Sequence, residues 1–279
     1  MITQHIGLSL GRIEHWHDGL GEFSRQLGLA FAAQAPQLAD EHGWRFHFHL
    51  PRRWHGVFGD AVSYLGTHTT QRVMHFARTR FALWHILHQH NRLRAPLGTA
   101  RCIETVHDLN FLHAKTPAKI ERYRARLQRR LAARDAVIAI TRHVAGDIAR
   151  ELPRLSTPVH VIHNGATDLT GAPQAPVPGL GTEPYLLHVS RMAPSKNIAA
   201  LLDLAAAWPE QRLVLAGATS PYSGQVRQQV ASRGLRNITI HLDISEAQKA
   251  WLYAHCAGFV FPSLAEGFGL PPIEAMHFG

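Results

Sequence analysis

Two positively charged residues follow a predicted strand in the second half of the chain. The apolar run YLLHVS at 185–190 predicts the strand, and Arg191 and Lys196 bracket the turn between it and a helix expected to start near Lys196. Arginine binds phosphate oxygens in a bidentate geometry, lysine supplies a point charge, and a helix N-terminus attracts anions. We therefore expect a diphosphate site here. A solvated surface pair is the alternative, but residues 165–279 contain only 7 Lys and Arg, and two of them sit at this strand end.

Two carboxylates frame a loop after a later predicted strand, AGFVF at 257–261. Glu266 lies in the loop, and Glu274 falls in the first turn of a helix that should begin near Leu270 or Pro271, since proline favours that turn. The glycines of the loop let the backbone approach a ligand. The expected ligand-contacting residues of this loop are Gly267, Phe268, Gly269 and Leu270. For Glu274 alone, complementing the helix dipole is the alternative role.

The combination of cations, loop backbone and carboxylates is more specific than any one part. Carboxylates would repel a diphosphate unless they point at other groups, and they accept hydrogen bonds strongly from sugar or ribose hydroxyls. The pattern therefore predicts a site for a nucleoside-diphosphate sugar.

A divalent metal is not expected at this site. Magnesium on a diphosphate is held by one or two carboxylates, and many nucleotide-sugar enzymes use an Asp-x-Asp pair for it. No two of the nine aspartates in the chain are two residues apart. We expect this site to work without a metal and without another cofactor, with Arg191 and Lys196 offsetting the diphosphate charge.

The first half of the chain offers two further candidate positions. His107 follows the predicted strand CIETV at 102–106, where it could donate a hydrogen bond to a sugar hydroxyl or help orient the reacting phosphate. The alternative is a strand-end histidine capped by Asp108. The turn DGLGEF at 18–23 places Gly19 and Gly21 before a helix, where backbone approaches a ligand closely, although Gly-x-Gly is a weak motif.

Apolar strands alternate with helical patterns along the whole chain, which predicts two α/β domains with doubly wound parallel sheets. The expected strands lie at 4–10, 45–50, 102–106, 136–140, 159–163, 185–190, 212–217, 237–242 and 257–261, and the expected helices at 20–34, 75–94, 117–134, 142–151, 196–207, 222–233 and 245–255. A Gly- and Pro-rich stretch interrupts the rhythm. We expect a first domain at 1–168, a linker at 169–184 and a donor-binding domain at 185–279.

Positive charge is confined to the first domain. Residues 1–164 carry 22 Lys and Arg against 12 Asp and Glu, a net charge of +10, whereas residues 165–279 carry 7 against 8, a net charge of −1. The predicted helix at 115–135 contains eight Lys and Arg, opposed on the helix by Glu121 and Asp135. It is either a solvated face or a surface that docks on an anionic membrane.

The composition limits the classes of protein. No apolar run is long enough to span a bilayer, the first ten residues lack a signal-peptide pattern, and the two cysteines, Cys102 and Cys256, are far apart. We expect a cytoplasmic protein, with a peripheral position at the inner face of the cell membrane through the basic helix as the further expectation.

The spacing of EGFGLPPIE at 266–274, with SRMAPSK at 190–196 upstream, resembles retaining GT-B glycosyltransferases of family 4. ETVHDLNFLH at 104–113 and VHVIHNGATDL at 159–169 are similar to that family's strand–His–Asp loop and hinge entry. The resemblance implies two Rossmann-like domains facing a cleft. It also implies hexose transfer, mannose- or glucose-type, with retention, from a nucleotide sugar to a saccharide or lipid-linked acceptor in polysaccharide or lipopolysaccharide synthesis.

The same resemblance assigns roles to the candidate residues. Arg191 and Lys196 would hold the donor diphosphate, and Glu266 would contact the transferred sugar. The 267–269 backbone would line the sugar and phosphate site, Glu274 would bind the ribose, and His107 would approach the donor sugar from the opposite domain. A domain of this family normally continues beyond the helix that carries Glu274, so the chain looks truncated.

Two other readings remain open. One is a nucleotide-sugar epimerase with the same fold, which would act on a donor without an acceptor. The other is a basic protein that binds nucleic acid or a membrane, suggested by the net charge of +9, although no nucleic-acid-reading motif is present and no nucleic-acid partner is expected.

Overall fold

The computed structural model describes residues 2–11, 13, 19–114, 116–181 and 183–279. The chain divides into two compact units, Met1–Asn164 and Gly165–Gly279. This division falls shortly before residue 168, where we expected the first domain to end. Lys115 of the basic helix, Asp18 of the turn before Gly19 and Thr182 of the expected linker lie outside the described residues.

The first unit is built on a parallel sheet with the order β3-β2-β1-β4-β5-β6-β7. Its described strands are β1 (Gln4–Ser9), β2 (Trp44–Leu50), β3 (Ser63–Gly66), β4 (Leu83–Ile86), β5 (Arg101–Val106), β6 (Ala136–Ala139) and β7 (Val159–Val161). Its described helices are α1 (Gly19–His42), α2 (Phe111–Ala114), α3 (Pro117–Leu131) and α4 (Arg142–Glu151), with short 3-10 helices at Arg52–Trp54 and Thr69–Arg72. The strand order reverses between β1 and β4, as in a doubly wound fold.

Close packing at the centre of this sheet depends on one glycine. Trp84 of β4 is completely buried, and β4 pairs with β1 so that Gly7 lies opposite Trp84. A Cβ atom at Gly7 would come within 2.1 Å of the Trp84 ring. The missing side chain of Gly7 therefore leaves the space that the Trp84 indole occupies.

The second unit has a parallel sheet with the order β10-β9-β8-β11. Its described strands are β8 (Tyr185–Val189), β9 (Arg212–Gly217), β10 (Ile238–Leu242) and β11 (Gly258–Phe259). Its described helices are α5 (Ile198–Ala207), α6 (Ser223–Ser232), α7 (Glu246–His255) and α8 (Leu270–Met276), with a short 3-10 helix at Pro194–Lys196. The two parallel α/β sheets confirm the predicted fold class.

The stretch expected to be a linker packs against the second unit. Leu169, Val177 and Leu180 are buried in one apolar cluster with Tyr185 and Leu187 of β8. Burial of these three apolar side chains fixes much of the Gly- and Pro-rich segment to the core of the second unit.

One element was predicted wrongly. Residues 75–94 were expected to be helical, but they contain strand β4, which pairs with β1 on one side and β5 on the other. Its four-residue sequence LWHI is too short for periodicity to distinguish a buried strand from a helix, and pairing with distant strands decides the structure. Helix α1 also runs past residue 34 to His42, with Pro36 inside it.

Among the described residues, no helix combines the length and the apolar character needed to cross a bilayer.

Candidate functional site

The carboxyl ends of β8 and β11 lie side by side, because these strands are neighbours in the second sheet. In the sheet, β9 lies on one side of β8 and β11 lies on the other side. The strand order therefore reverses between β8 and β11. Ligands of open parallel sheets bind at such a reversal, beyond the carboxyl ends of the strands. Arg191 and Lys196 follow β8, and Glu266 follows β11, so the topology brings the loops that carry them to one place.

Lys196 and Glu266 connect these two loops. The Lys196 ammonium forms an ion pair with the Glu266 carboxylate, and both side chains are partly exposed. The same ammonium lies 5.6 Å from the centre of the Phe261 ring. Leu264 also donates its backbone N–H to the carbonyl of Ser195 at 2.9 Å. The two loops therefore form one surface on which a cation and a carboxylate are both accessible.

Arg191 is exposed beside an anchored segment. The next residue, Met192, is buried, and its carbonyl accepts a hydrogen bond of 2.7 Å from the hydroxyl of Ser220. Met192 therefore holds the backbone at this point while the Arg191 side chain faces solvent. Its exposure leaves the guanidinium accessible from solvent, and binding of an anion there stays a prediction.

A buried histidine joins the two strand ends beneath the site. His188 of β8 donates from Nδ1 to the carbonyl of Val260 at 2.9 Å, and its Nε2 is 2.7 Å from the hydroxyl of Ser190. Its ring stacks on Phe261 at a centroid distance of 5.5 Å. Burial lowers the pKa of His188 to about 4, against a smaller raising effect of its bond to Val260. The neutral ring therefore fixes the spacing of β8 and the loop after β11.

Glu274 lies in α8 and is buried, with 8% of its surface exposed. Lys249 donates to one carboxylate oxygen and the hydroxyl of Tyr253 donates to the other, both at 2.9 Å. Burial, followed by the charge of Glu274, raises the pKa of Tyr253. Lys249 and Tyr253 were not among the predicted site residues. Their four-residue spacing, which places both on one face of α7, was the available signal.

The loop between the two carboxylates turns at Gly269. Gly269 has a φ of +78° and directly precedes α8, a conformation that favours glycine. Leu270 is the first residue of the helix and is partly buried, as are Gly267 and Phe268. The predicted helix start near Leu270 is therefore correct.

In the first unit, the His107 side chain is buried and already hydrogen-bonded. It is 6% exposed, its Nε2 donates to the carbonyl of Leu87 at 2.9 Å, and its backbone N–H donates to the Gln89 side chain. Asp108 instead accepts from the backbone of Asn110. Burial lowers the pKa of His107. Since Nε2–H is used, Nδ1 of the neutral ring accepts hydrogen bonds, so it would bind a hydroxyl as an acceptor and not as the expected donor.

Gly19 and Gly21 belong to helix α1 and not to a turn before it. Gly19 is the exposed first residue of the helix, and Gly21 is buried within its first turn. Among the residues that the structure describes, none would lie within 4 Å of a Cβ atom at Gly19. Gly19 is therefore exposed at the helix start, whereas Gly21 has the packing role of a helix residue.

Arginines of helix α3, and Arg134 after it, form ion pairs with carboxylates of other elements. The completely buried Glu104 of β5 forms ion pairs with Arg130 at 2.8 Å and with Arg134 at 2.9 Å. Arg124 pairs with Glu121 and also with Glu151 of α4. Carboxylates of β5 and α4 therefore oppose these basic residues in addition to Glu121 and Asp135, the acidic residues of the segment itself.

The remaining arginines of α3 line a surface pocket of about 350 Å³. The residues that line it are Arg92, Arg122, Tyr123, Arg126 and Arg129. Cations at i and i+4 on a helix repel each other by a few tenths of a kcal/mol, about 0.2–0.5. An anionic partner would relieve this repulsion.

The described residues contain no group of three or more His, Cys, Asp or Glu side chains arranged to hold a metal ion. Metal independence remains a prediction about the reaction.

Comparison with known proteins finds sequence similarity in the second unit. Residues 174–279 match the sequence model of the glycosyl transferases group 1 family. O-antigen chain mannosyltransferase B of Escherichia coli is 37% identical over 106 residues, which cover 36% of this chain and 28% of that protein. O-antigen chain mannosyltransferase RfbU of Salmonella typhimurium is 32% identical over 96 residues, which cover 34% of this chain and 27% of that protein.

Solved structures extend the similarity to the first unit. One, described as trehalose-6-phosphate from E. coli bound with UDP-2-fluoro glucose, aligns with a TM-score of 0.64 and 12% identity over 99% of this chain and 82% of that chain. At this identity the likeness concerns the fold. Residues 174–279 therefore resemble the glycosyl transferases group 1 family, the chain spans less than a third of the length of these two mannosyltransferases, and its two units have the fold of GT-B glycosyltransferases.

Proposed function

We propose that this chain carries the donor site of a glycosyltransferase. The enzyme would transfer a hexose, mannose- or glucose-type, from a nucleoside-diphosphate sugar to a saccharide or lipid-linked acceptor, with retention of anomeric configuration. The product would belong to a polysaccharide or lipopolysaccharide. The main supporting observation is that Lys196 pairs with Glu266 at the strand reversal between β8 and β11, where Arg191 also follows β8, inside the segment that matches the family model.

The relatives support the substrate class. Two of them are named as O-antigen chain mannosyltransferases, which favours mannose as the sugar and a surface polysaccharide as the product. The solved structure with UDP-2-fluoro glucose supports a nucleotide sugar as the donor.

The proposed chemistry depends on stabilising the leaving diphosphate. Arg191 and Lys196 offset the charge that develops when the glycosidic bond to phosphate breaks, which lowers the barrier most in a site that excludes water. Glu266 accepts hydrogen bonds from the transferred sugar, and Glu274 accepts from the ribose. The acceptor oxygen bonds to the anomeric carbon as the bond from that carbon to the diphosphate oxygen breaks. The leaving diphosphate takes the proton of the acceptor hydroxyl, since no protein base is assigned.

Lys196 has two partners in this scheme. Its ammonium pairs with Glu266 in the free protein and contacts the diphosphate when donor binds. Donor binding therefore weakens the Lys196–Glu266 pair and leaves the Glu266 carboxylate for sugar hydroxyls.

We also propose that no divalent metal takes part. Turnover should be unchanged after treatment with EDTA. Loss of turnover with EDTA and its recovery with Mg²⁺ or Mn²⁺ would overturn this part of the proposal.

Donor binding is the direct test of the site. A thermal-shift panel of UDP- and GDP-sugars should raise the melting temperature for one nucleotide sugar, since ligand at 100 times its Kd adds about 2.7 kcal/mol to stability. Arg191→Ala should abolish that shift. Arg227→Ala, at an exposed arginine of α6 in the same unit, should leave it intact. Equal shifts in both variants would contradict the assignment of Arg191.

The partner of helix α3 is a second proposal. The arginine-lined pocket on α3 favours contact with an anionic membrane that carries a lipid-linked acceptor, since each Lys or Arg near such a surface gains about 1 kcal/mol. Arg122→Gln with Arg126→Gln should weaken binding to anionic vesicles. Arg142→Gln with Arg154→Gln, at two exposed arginines outside the pocket, should not.

A further inference from the structure

Four large apolar side chains of the first unit are exposed to solvent within two neighbouring segments. Val73 is 72% exposed, Met74 48%, Phe76 74% and Leu97 59%. We call these four residues the apolar patch. Clusters of exposed apolar side chains mark surfaces that contact another protein or a membrane.

The two segments are hydrogen-bonded to each other, so the four side chains belong to one surface. Arg94 donates its backbone N–H to the carbonyl of Gln71 at 2.8 Å. Leu97 donates its backbone N–H to the carbonyl of His75 at 2.9 Å. Val73 and Met74 donate to the carbonyl of Thr70 and thereby continue the short 3-10 helix Thr69–Arg72.

His75 fixes the orientation of the patch. Its side chain is 3% exposed, its Nδ1 donates to the carbonyl of Arg94 at 2.8 Å, and its ring meets Trp84 edge-on at 5.4 Å. Because His75 points into the core, Met74 and Phe76 on either side of it point outward. Their exposure therefore follows from an anchored backbone.

Arginines surround the patch. Arg72 and Arg94 lie on the two segments, and Arg78 and Arg80 follow Phe76; all four are exposed. Burial alternates along residues 91–94: Asn91 and Leu93 are buried, and Arg92 and Arg94 face outward. Arg92 also lines the α3 pocket, so the segment 92–97 connects the basic surface of α3 with the apolar patch.

We propose that the apolar patch inserts into the interface of an anionic lipid bilayer while the surrounding arginines bind lipid phosphates. Apolar side chains flanked by Lys or Arg are the chemistry that binds anionic membrane surfaces. A second copy of the chain is disfavoured as the occupant, since pairing two copies through this surface would bring arginines against arginines. The inference extends the proposed membrane contact of α3 to a second surface without requiring it, and it is independent of sugar transfer.

Flotation with vesicles tests the proposal. The chain should float with phosphatidylcholine vesicles that contain phosphatidylglycerol and remain unbound with phosphatidylcholine alone. Binding should fall at high salt, because the arginine contribution is screened. A Met74→Ser/Phe76→Ser double variant should bind at least about tenfold more weakly, since it lacks two of the apolar side chains that would enter the bilayer.

A matched control separates insertion from a general loss of surface hydrophobicity. Val57 and Ile162 are exposed to 45% and 56% and lie outside the patch in the same unit. A Val57→Ser/Ile162→Ser variant should float like the unmodified chain. Circular dichroism melting should give all variants the same transition, because the substituted side chains are at the surface.

The outcomes distinguish this inference from the α3 proposal. Flotation that is unaffected by Met74→Ser/Phe76→Ser but weakened by Arg122→Gln/Arg126→Gln would overturn the insertion of the apolar patch and leave α3 as the contact. The reverse result would support the patch and contradict the role of α3. Absence of flotation in the unmodified chain, or a dimer in light scattering that the Met74→Ser/Phe76→Ser variant abolishes, would overturn membrane insertion.

Discussion

Lys196, after β8, forms an ion pair with Glu266, after β11. The two residues were assigned different parts of the donor, the diphosphate and the sugar. In the free protein each neutralises the other. In the proposed donor site, a bound diphosphate and Glu266 would compete for the same ammonium. In the proposed site, a stronger pair would hold Lys196 back from the diphosphate and Glu266 back from the sugar.

Glu266→Gln should tighten binding of free UDP or GDP while it slows sugar transfer. Removing the competing carboxylate leaves Lys196 to the diphosphate, and a partly exposed ion pair contributes about 0.2–1 kcal/mol, which corresponds to a gain of up to about fivefold. Calorimetric titration measures the affinity, and product formation from the donor measures transfer. Glu183→Gln is the control, since Glu183 pairs with Arg212 in the same unit. Weaker nucleotide binding by Glu266→Gln would contradict the competition.

Tyr253→Phe should lower the free energy of unfolding by about 1.5–3 kcal/mol, because the hydroxyl donates to the buried, charged Glu274. Tyr222→Phe, at a half-buried tyrosine of the same unit, should change stability little. Denaturant titration of both variants gives the comparison. Equal stabilities would show that the Tyr253–Glu274 bond contributes nothing.

Glu274→Ala should cost about 3–5 kcal/mol, since it leaves Lys249 without its buried partner. Loss of donor use in this variant therefore combines unfolding with loss of the ribose contact. Glu274→Gln keeps the shape of the side chain, so its nucleotide affinity, measured below its melting temperature, isolates the ribose contact. Unchanged affinity in Glu274→Gln would restrict Glu274 to a structural role.

Local sequence was sufficient for strands whose apolar run is bounded by Gly, Pro or polar residues. The run RLVLAG at 212–217 is an example, and it forms β9. Strand β4 was missed because its four residues acquire their structure from pairing with β1 and β5, which lie far away in the chain.

For the site residues too, the sequence predicts the features that depend on neighbouring residues but not those that depend on residues far away in the chain. Arg191, Lys196 and Glu266 could be placed from sequence, since strand ends of a parallel sheet define where loops meet. The burial of Glu274 could not, because it depends on Lys249 and Tyr253, more than twenty residues earlier on α7. The neutralisation of Arg130 and Arg134 by Glu104 was missed for the same reason.

Gly217→Ala should destabilise the second unit and weaken nucleotide binding. Gly217 has a φ of +151°, and a Cβ atom there would lie 2.0 Å from the carbonyl oxygen of Ser190, next to Arg191. Strain and displacement of this backbone should cost about 2–4 kcal/mol. Gly224→Ala is the matched control: it lies in α6 with open space around its Cβ position, so alanine should preserve or slightly raise stability. Similar melting temperatures for the two variants would contradict the close approach.

The free energy of unfolding should fall as the pH falls from about 6.5 towards 4. Burial lowers the pKa of His188 to about 4 in the folded chain, from 6.5, with Lys196 lowering it and Glu266 raising it to smaller extents. Between these values the unfolded state binds the proton and the folded state does not, so stability is complete above pH 6.5 and is lost on acidification, by on the order of 3 kcal/mol for this residue. Burial also lowers the pKa of His49 and His85 to about 4. Denaturant titrations at several pH values give the free energy of unfolding as a function of pH. This free energy should change less with pH for His188→Asn than for the exposed His255→Asn. An equal pH dependence in the two variants would show that His188 is not the group that titrates.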